Sequence, residues 1–296
     1  MQPPQTRNTI FSESARILSH DPHPGNQYVL RLAAPLTASH AKPGNFVHIQ
    51  CASDLYMRRP MSIMRADPDG GWIEILYKIH GTGTERLAQR NSGDVLELLG
   101  PIGLPFRLDE YKTHPLLIGG GVGIPPMVYL AEHLRRFMPE VRPLAILGSE
   151  IPFPFQPRPS QIMVAGIPDG TIATMPLLED WKIPCRLTSR SNFSGCYNGF
   201  VTDLARIWLD SLDPDVIPDV EIFACGPTPM LRAISHLAQE YALPCQVSLE
   251  EYMACAVGGC AGCAVPVYID QRTVMKRVCV DGPVFEGASI FPANDT

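Results

Sequence analysis

The chain has 296 residues, a formal net charge of −6, 45% hydrophobic and 18% charged residues, and 30 prolines. That length suits about two domains or slightly more, and an acidic balance without a basic run argues against a nucleic-acid surface, which needs clustered Lys and Arg. The longest uncharged stretch, 114–131, is interrupted by Gly119, Gly120, Gly121, Gly123, Pro125 and Pro126, so it cannot run as one membrane helix.

From Thr9 to about Leu108 the pattern is short and β-like. Tyr28–Leu32, Phe46–Gln50, Trp72–Tyr77 and Val95–Leu99 read as strands of a small barrel, with Lys42-Pro43-Gly44 and Asn91-Ser92-Gly93-Asp94 as turns. His20 and His23 flank Asp21 in what reads as a proline-rich loop, with no third or fourth ligand for a metal. The texture then changes. Pro115–Ile118 reads as a buried strand, Gly119–Gly123 as a tight turn and Pro126–Phe137 as an amphipathic helix with Met127, Leu130 and Leu134 on one face. Leu144–Gly148 and Val220–Ala224 repeat the strand signal and Met230–Tyr241 reads as a helix, an alternation that implies a parallel sheet covered by helices. Pro152–Pro159 holds four prolines in eight positions and reads as an extended loop. From Gln246 a third, small unit follows, with a strand at Ala264–Ile269.

Cys255, Cys260 and Cys263 are separated by four and then two intervening residues, and fifteen more precede Cys279, the C-x4-C-x2-C…C spacing of ligands to a [2Fe-2S] cluster. Thiolates are soft ligands suited to iron and sulfide, and Gly258, Gly259 and Gly262 leave room for the loop to wrap a compact core with N–H groups turned inward. The alternatives are a zinc site, which usually draws paired cysteine or histidine ligands, and buried free thiols. Cys51, Cys185, Cys196 and Cys245 lack ligand spacing and read as structural. With no secretory signal at the start of the chain, the nine cysteines fit a reducing cytoplasm.

Four further segments carry chemistry. Arg58-Arg59-Pro60-Met61-Ser62-Ile63 follows a barrel strand, where a guanidinium can clamp a diphosphate and a serine hydroxyl can reach a ring edge; solvent-facing arginines on an edge strand are the plain alternative. Gly81-Thr82-Gly83-Thr84 brings backbone N–H groups toward phosphate, with Thr84 capping a helix expected from Glu85, or is simply a turn into a capped helix. Gly119 to Met127 sits between strand and helix, the context of a pyrophosphate-binding turn, although its spacing is not G-x-G-x-x-G. Glu150, just past the next strand, is placed to accept from a ribose hydroxyl and favours NAD over NADP; Cys225-Gly226-Pro227 lies at the carboxyl edge of the same sheet, with Cys225 facing the nicotinamide or merely ending a strand.

In this order, Arg59-Pro60-Met61-Ser62, Gly81-Thr82-Gly83-Thr84, Gly119–Pro126, Gly199-Phe200-Val201-Thr202-Asp203, Cys225-Gly226-Pro227, the four cysteines and Asp281-Gly282-Pro283-Val284-Phe285 resemble the ferredoxin reductase superfamily, most closely the electron-transfer subunits of NAD-linked dihydroorotate dehydrogenases. The resemblance implies a multi-domain β plus α/β fold: an antiparallel β-barrel FAD domain over 1–110, a parallel-sheet α/β NAD domain over 111–245 and a small [2Fe-2S] domain over 246–296. It also implies that Arg59, Ser62, Gly83 and Thr84 contact FAD and that Gly121, Gly123 and Cys225 line the nicotinamide path, with Cys225 the catalytic candidate; Pro60, Met61 and Gly81 are cofactor-binding candidates from the same motifs, as is Glu150 from its place after the strand. Cys255, Cys260, Cys263 and Cys279 would hold the cluster, and an FMN-containing dihydroorotate dehydrogenase catalytic subunit would be the partner. The proline-rich stretch 151–187 departs from that pattern, so NADP and a ferredoxin- or hydrogenase-type reductase subunit with another electron partner stay open, as does a zinc-bearing assembly subunit without flavin.

Overall fold

The structure, a computed structural model, describes residues 9–109, 111–270 and 272–293. Six strands, β1 (Phe11–His23), β2 (Gln27–Ala33), β3 (Phe46–Ile49), β4 (Arg59–Asp67), β5 (Trp72–Lys78) and β6 (Val95–Ile102), close into an antiparallel barrel in the order β1-β2-β5-β4-β3-β6. Alternate side chains fill it: Leu30 and Leu32, Val47 and Ile49, Ile73 and Ile75, Leu96 and Leu98 are fully buried or nearly so. Two helices decorate the barrel, α1 (Pro35–His40) and α2 (Thr82–Ala88).

β1 and β4 were not expected. His20, Asp21 and His23 belong to the end of β1, paired with Leu30, Val29 and Gln27 of β2, not to a loop. His20 Nδ1 donates to the Arg90 carbonyl at 2.9 Å and Nε2 lies 2.8 Å from the Tyr77 hydroxyl, so both ring nitrogens are engaged within the barrel. Arg59 to Ser62 lie within β4 itself, in register with Ile49 to Phe46 of β3, rather than in a segment after a strand.

The α/β part holds β7 (His114–Gly120), β8 (Leu144–Gly148), a two-residue ladder of β9 (Arg158–Pro159) with β10 (Ala173–Thr174), β11 (Cys185–Thr188), β12 (Val220–Cys225) and β13 (Cys245–Ser248). Parallel pairing runs β11-β8-β7-β12-β13, flanked by α3 (Ile124–Phe137), α4 (Pro176–Asp180), α5 (Val201–Asp210) and α6 (Thr228–Glu240). The proline-rich segment is tied down rather than simply extended: Arg186 Nη2 donates to the Ile162 carbonyl at 2.7 Å, and the buried Glu179 accepts from Gln161 N at 2.7 Å and Ser160 Oγ at 2.8 Å.

After β13 come a hairpin of β14 (Ala264–Ile269) and β15 (Arg272–Arg277), a one-turn helix α7 (Val278–Asp281), β16 (Val284–Glu286), which completes the six-stranded sheet beside β13, and α8 (Gly287–Ile290). The chain forms two compact units: residues up to Phe106 together with Leu249–Val284, and Arg107–Ser248 together with residues from Phe285 onward. The cysteine-rich segment thus belongs with the barrel, held by Leu104 N donating to the Gly282 carbonyl at 2.5 Å. Among the described residues no helix is long and apolar enough to cross a membrane.

Candidate functional site

On the barrel, two separate stretches converge. The Arg59 guanidinium is turned by Nη1 donating to the carbonyls of Met57 at 2.7 Å and Arg58 at 3.2 Å, and it lies against the first turn of α2. A Cβ at Gly83 would fall 2.7 Å from Arg59 Nε and 2.9 Å from its Cζ, so only glycine lets the cation and the helix start approach so closely. Pro60 and Ser62 alternate with the buried Met61 and Ile63 and so take the more accessible face of β4. Met61 can therefore offer a ligand only backbone. Thr84 does not cap a helix beginning at Glu85: it sits inside the first turn of α2, its Oγ1 accepting from His80 N at 2.6 Å and donating to the Gly81 carbonyl at 3.1 Å. Arg86 holds both oxygens of Asp54 at 3.0 Å, fixing the loop before β4 to the same helix. A guanidinium beside the start of a helix has the chemistry to receive a diphosphate.

In the α/β unit, β7 runs into a single turn at Gly121–Gly123 before α3, which starts at Ile124 with Pro125 and Pro126 in its first turn. Gly121 has φ +56° and open space where a Cβ would stand, a cradle facing away from protein. Cys225 ends β12 in register with Gly119, but its side chain is buried, with 1% exposure. Glu150 and Arg190 follow the neighbouring strands β8 and β11, with Arg190 Nε 3.4 Å from Glu150 Oε1 and its guanidinium 4.5 Å from the Phe200 ring centre. Ser191 Oγ donates to the Glu150 carbonyl at 2.8 Å. Arg190, which touches both Glu150 and Phe200, has no signal in the sequence, because the strand β11 that presents it carries none.

The cysteines form two pairs. Cys260 N donates to Cys255 Sγ at 3.4 Å, and the Cys263 and Cys279 sulfurs are 3.3 Å apart. Gly262 N donates to Cys260 Sγ at 3.4 Å. The loop is bent hard to achieve this: Ala256 and Ala261, each directly after a cysteine, both have φ +55°, and Gly258 has φ +81°. Left-handed alanine costs about 1–2 kcal/mol, so a loop carrying two of them is shaped for something other than its own comfort. Burial raises the Cys255 thiol, but the N–H groups of Val257, Cys260 and Gly259 outweigh it and bring the thiol down to about 7; burial, with Cys263 alongside, pushes Cys279 up to about 12. Cys260 is exposed while Cys263 and Cys279 are buried, so a group held by these sulfurs would have one edge at the surface. Among the described residues, no three His, Cys, Asp or Glu close round a single point as a lone ion requires. Two thiolate pairs with amide N–H groups aimed at sulfur fit a two-iron cluster.

One polar side chain near this loop was invisible in the sequence. His48, on the outer face of β3, is 1% exposed, and neither ring nitrogen has an aligned hydrogen-bond partner, although the backbones of Met253 and Arg58 lie alongside.

Residues 250–291 match the family model of the iron-sulfur cluster binding domain of dihydroorotate dehydrogenase B. Across nearly the whole chain, relatives named dihydroorotate dehydrogenase B (NAD(+)), electron transfer subunit, include one from Shouchella clausii, 33% identical over 88% of this chain and 90% of its own, and one from Bacillus caldolyticus, 35% identical over 89% and 92%. Among solved structures, the NADH-dependent reduced ferredoxin-NADP oxidoreductase superposes with a TM-score of 0.71 at 24% identity over 94% of this chain and 90% of that one. A ferredoxin NADP+ reductase from Neisseria gonorrhoeae gives 0.56 at 14% identity over 79% and 92%. These structures share the fold. The level of identity over almost the full length places this chain in the family of electron-transfer subunits of NAD-dependent dihydroorotate dehydrogenase B.

Proposed function

We propose that the chain passes electrons from dihydroorotate oxidation to NAD as the electron-transfer subunit beside an FMN-containing dihydroorotate dehydrogenase catalytic subunit, in the pyrimidine pathway. FAD, a [2Fe-2S] cluster and NAD are the groups it would bind: a flavin exchanges a hydride with nicotinamide and single electrons with a cluster. The observation that carries this reading is the pairing of Cys255 with Cys260 and Cys263 with Cys279 within the same compact unit as the Arg59–Gly83 clamp. In this reading Cys255, Cys260, Cys263 and Cys279 ligate the cluster. Arg59, Gly81, Gly83 and Thr84 receive the flavin diphosphate, and Pro60, Met61 and Ser62 line its ring edge. Gly121 and Gly123 admit the nucleotide phosphates, Glu150 takes the adenosine ribose, and Cys225 backs the nicotinamide through the strand end rather than through an exposed thiol. The functional divisions follow residues 1–110, 111–245 and 246–296. A cluster held by reduced thiolates fits a cytoplasmic setting.

The test is direct. Purified together with its dihydroorotate-oxidising partner, the cofactor-loaded protein reduces NAD when dihydroorotate is added; a loaded complex without that activity removes the assignment. A second reading, an NAD(P)H-dependent reductase subunit serving another electron partner, draws on Arg190 beside Glu150, a cation where a 2′-phosphate would be received. The identity of the co-purifying polypeptide separates the two.

A further inference from the structure

Arg277 ends β15 two residues before Cys279, and its side chain reaches back to the cysteine-rich loop. Nη1 donates to the Gly258 carbonyl at 3.0 Å. Nε lies 3.4 Å from Asp281 Oδ2, and the Arg277 backbone N–H donates to that same oxygen at 2.8 Å. One guanidinium therefore joins the loop bearing Cys255, Cys260 and Cys263 to the turn bearing Cys279. Its side chain is 40% exposed and that of Asp281 19%, so as an ion pair the contact contributes little. What it fixes is geometry.

The residue it grips abuts the turn that bears the fourth sulfur. The Gly258 backbone opposes the rise that burial gives the Cys279 thiol. At φ +81° the same residue sits so close to the turn that a Cβ would lie 2.6 Å from Val280 Cγ2 and 3.2 Å from Arg277 Nη1. Gly258 is thus held by its carbonyl on one side and set against the Cys279 turn on the other. Donors to cluster sulfur stabilise the added negative charge of the reduced state and raise its potential.

The geometry points to Arg277 as a positioning residue for the iron-sulfur centre: by holding the Gly258 carbonyl it keeps the Gly258 N–H directed at Cys279, and so sets the potential and the retention of the cluster. This rests on the reading of the four cysteines as cluster ligands. Lysine carries the same charge but not the planar fork that spans Gly258 and Asp281 together.

Wild type, Arg277→Met, Arg277→Lys and Asp281→Asn, each prepared anaerobically as full-length protein, are compared by iron, acid-labile sulfide and flavin content, by rate of iron release to a chelator, and by redox titration followed by electron paramagnetic resonance. Both Arg277 variants are expected to keep flavin, to release iron faster, and to reduce with an equilibrium constant about tenfold smaller, a midpoint about 59 mV lower for one electron. Asp281→Asn, which keeps an oxygen acceptor, falls between them and wild type. If the Arg277 variants retain flavin yet take up no iron, the clasp is required for assembly, and the shift is read on Asp281→Asn. Wild-type potential and iron release in iron-loaded Arg277→Met overturn the inference, as does full restoration by Arg277→Lys, which would leave charge alone as the cause. Wild-type protein lacking both iron and labile sulfide sinks the cluster reading itself, a result distinct from either of these.

Discussion

The backbone carbonyl of Cys225 fills the space that a side chain at Gly123 would need: an ideal Cβ there lies 2.1 Å from Cys225 O and 2.3 Å from its carbonyl carbon. Both are backbone atoms at the end of β12, and Gly123 lies in the turn that follows the neighbouring parallel strand β7, so neither side can swing aside. Gly123→Ala is expected to destabilise the α/β unit by about 1–3 kcal/mol, the usual cost of overpacking, and to weaken nicotinamide-nucleotide binding. Gly121→Ala meets no atom and carries only the left-handed penalty of about 1–2 kcal/mol. Denaturant unfolding with nucleotide titration checks this; a Gly123→Ala protein with wild-type stability and affinity refutes the clash.

Arg59 is braced by the carbonyls of Met57 and Arg58 and pressed onto Gly83. Arg59→Ala should weaken FAD binding by about 10- to 100-fold, on the scale of a hydrogen bond to a charged group at ~1.5–3 kcal/mol, while thermal stability of the apoprotein changes little. Unchanged flavin stoichiometry after extended dialysis contradicts the clamp.

Cys260 is the exposed member of its pair. Cys260→Ser is expected to lose or destabilise the [2Fe-2S] cluster with FAD still bound, whereas Cys196→Ser, outside the loop, leaves the visible spectrum unaltered. A normal cluster spectrum in Cys260→Ser shows that the ligand set is wrong.

Glu150 faces Arg190 at 3.4 Å with both side chains about half exposed. Glu150→Gln removes a charge that opposes a 2′-phosphate and frees Arg190 to meet it, so the preference for NAD over NADP should fall about tenfold, ~1.4 kcal/mol. Steady-state kcat/KM for both nucleotides measures it; an unshifted ratio shows that Glu150 does not read the ribose.

Burial, ahead of the cations Arg58 and Arg59, holds the His48 imidazole below its ordinary 6.5. The unfolded chain therefore takes up a proton near that value while the folded chain resists it, and stability falls as the pH drops below about 6.5. His48→Leu should flatten this dependence between roughly pH 7.5 and 5.5. Denaturation of the two proteins at both ends of that range decides, and parallel curves would show that His48 does not contribute.

Much of the fold was legible because apolar alternation survives in the sequence of β2, β3, β5 and β6. It fails in β1, where Glu13 occupies an inward position: the carboxylate is buried, accepting Leu36 N at 2.9 Å and Thr37 N at 2.8 Å at the start of α1, a compensation supplied by residues more than twenty positions away. It fails in β4 because two arginines and a proline mask the strand. The cysteine pairs were legible because ligands to one cluster lie close in sequence. Arg277, Arg190 and His48 were not, since each acquires its meaning from a segment brought to it only by folding.

The barrel and the cysteine-rich segment share one compact unit although Arg107–Ser248 of the α/β unit are translated between them. On the ribosome the residues up to Phe106 must therefore wait, with the outer face of β3 beside Met253 still bare, until Leu249–Val284 have emerged. A break in the chain between Ser248 and Leu249 would leave the barrel without the segment that completes its own unit.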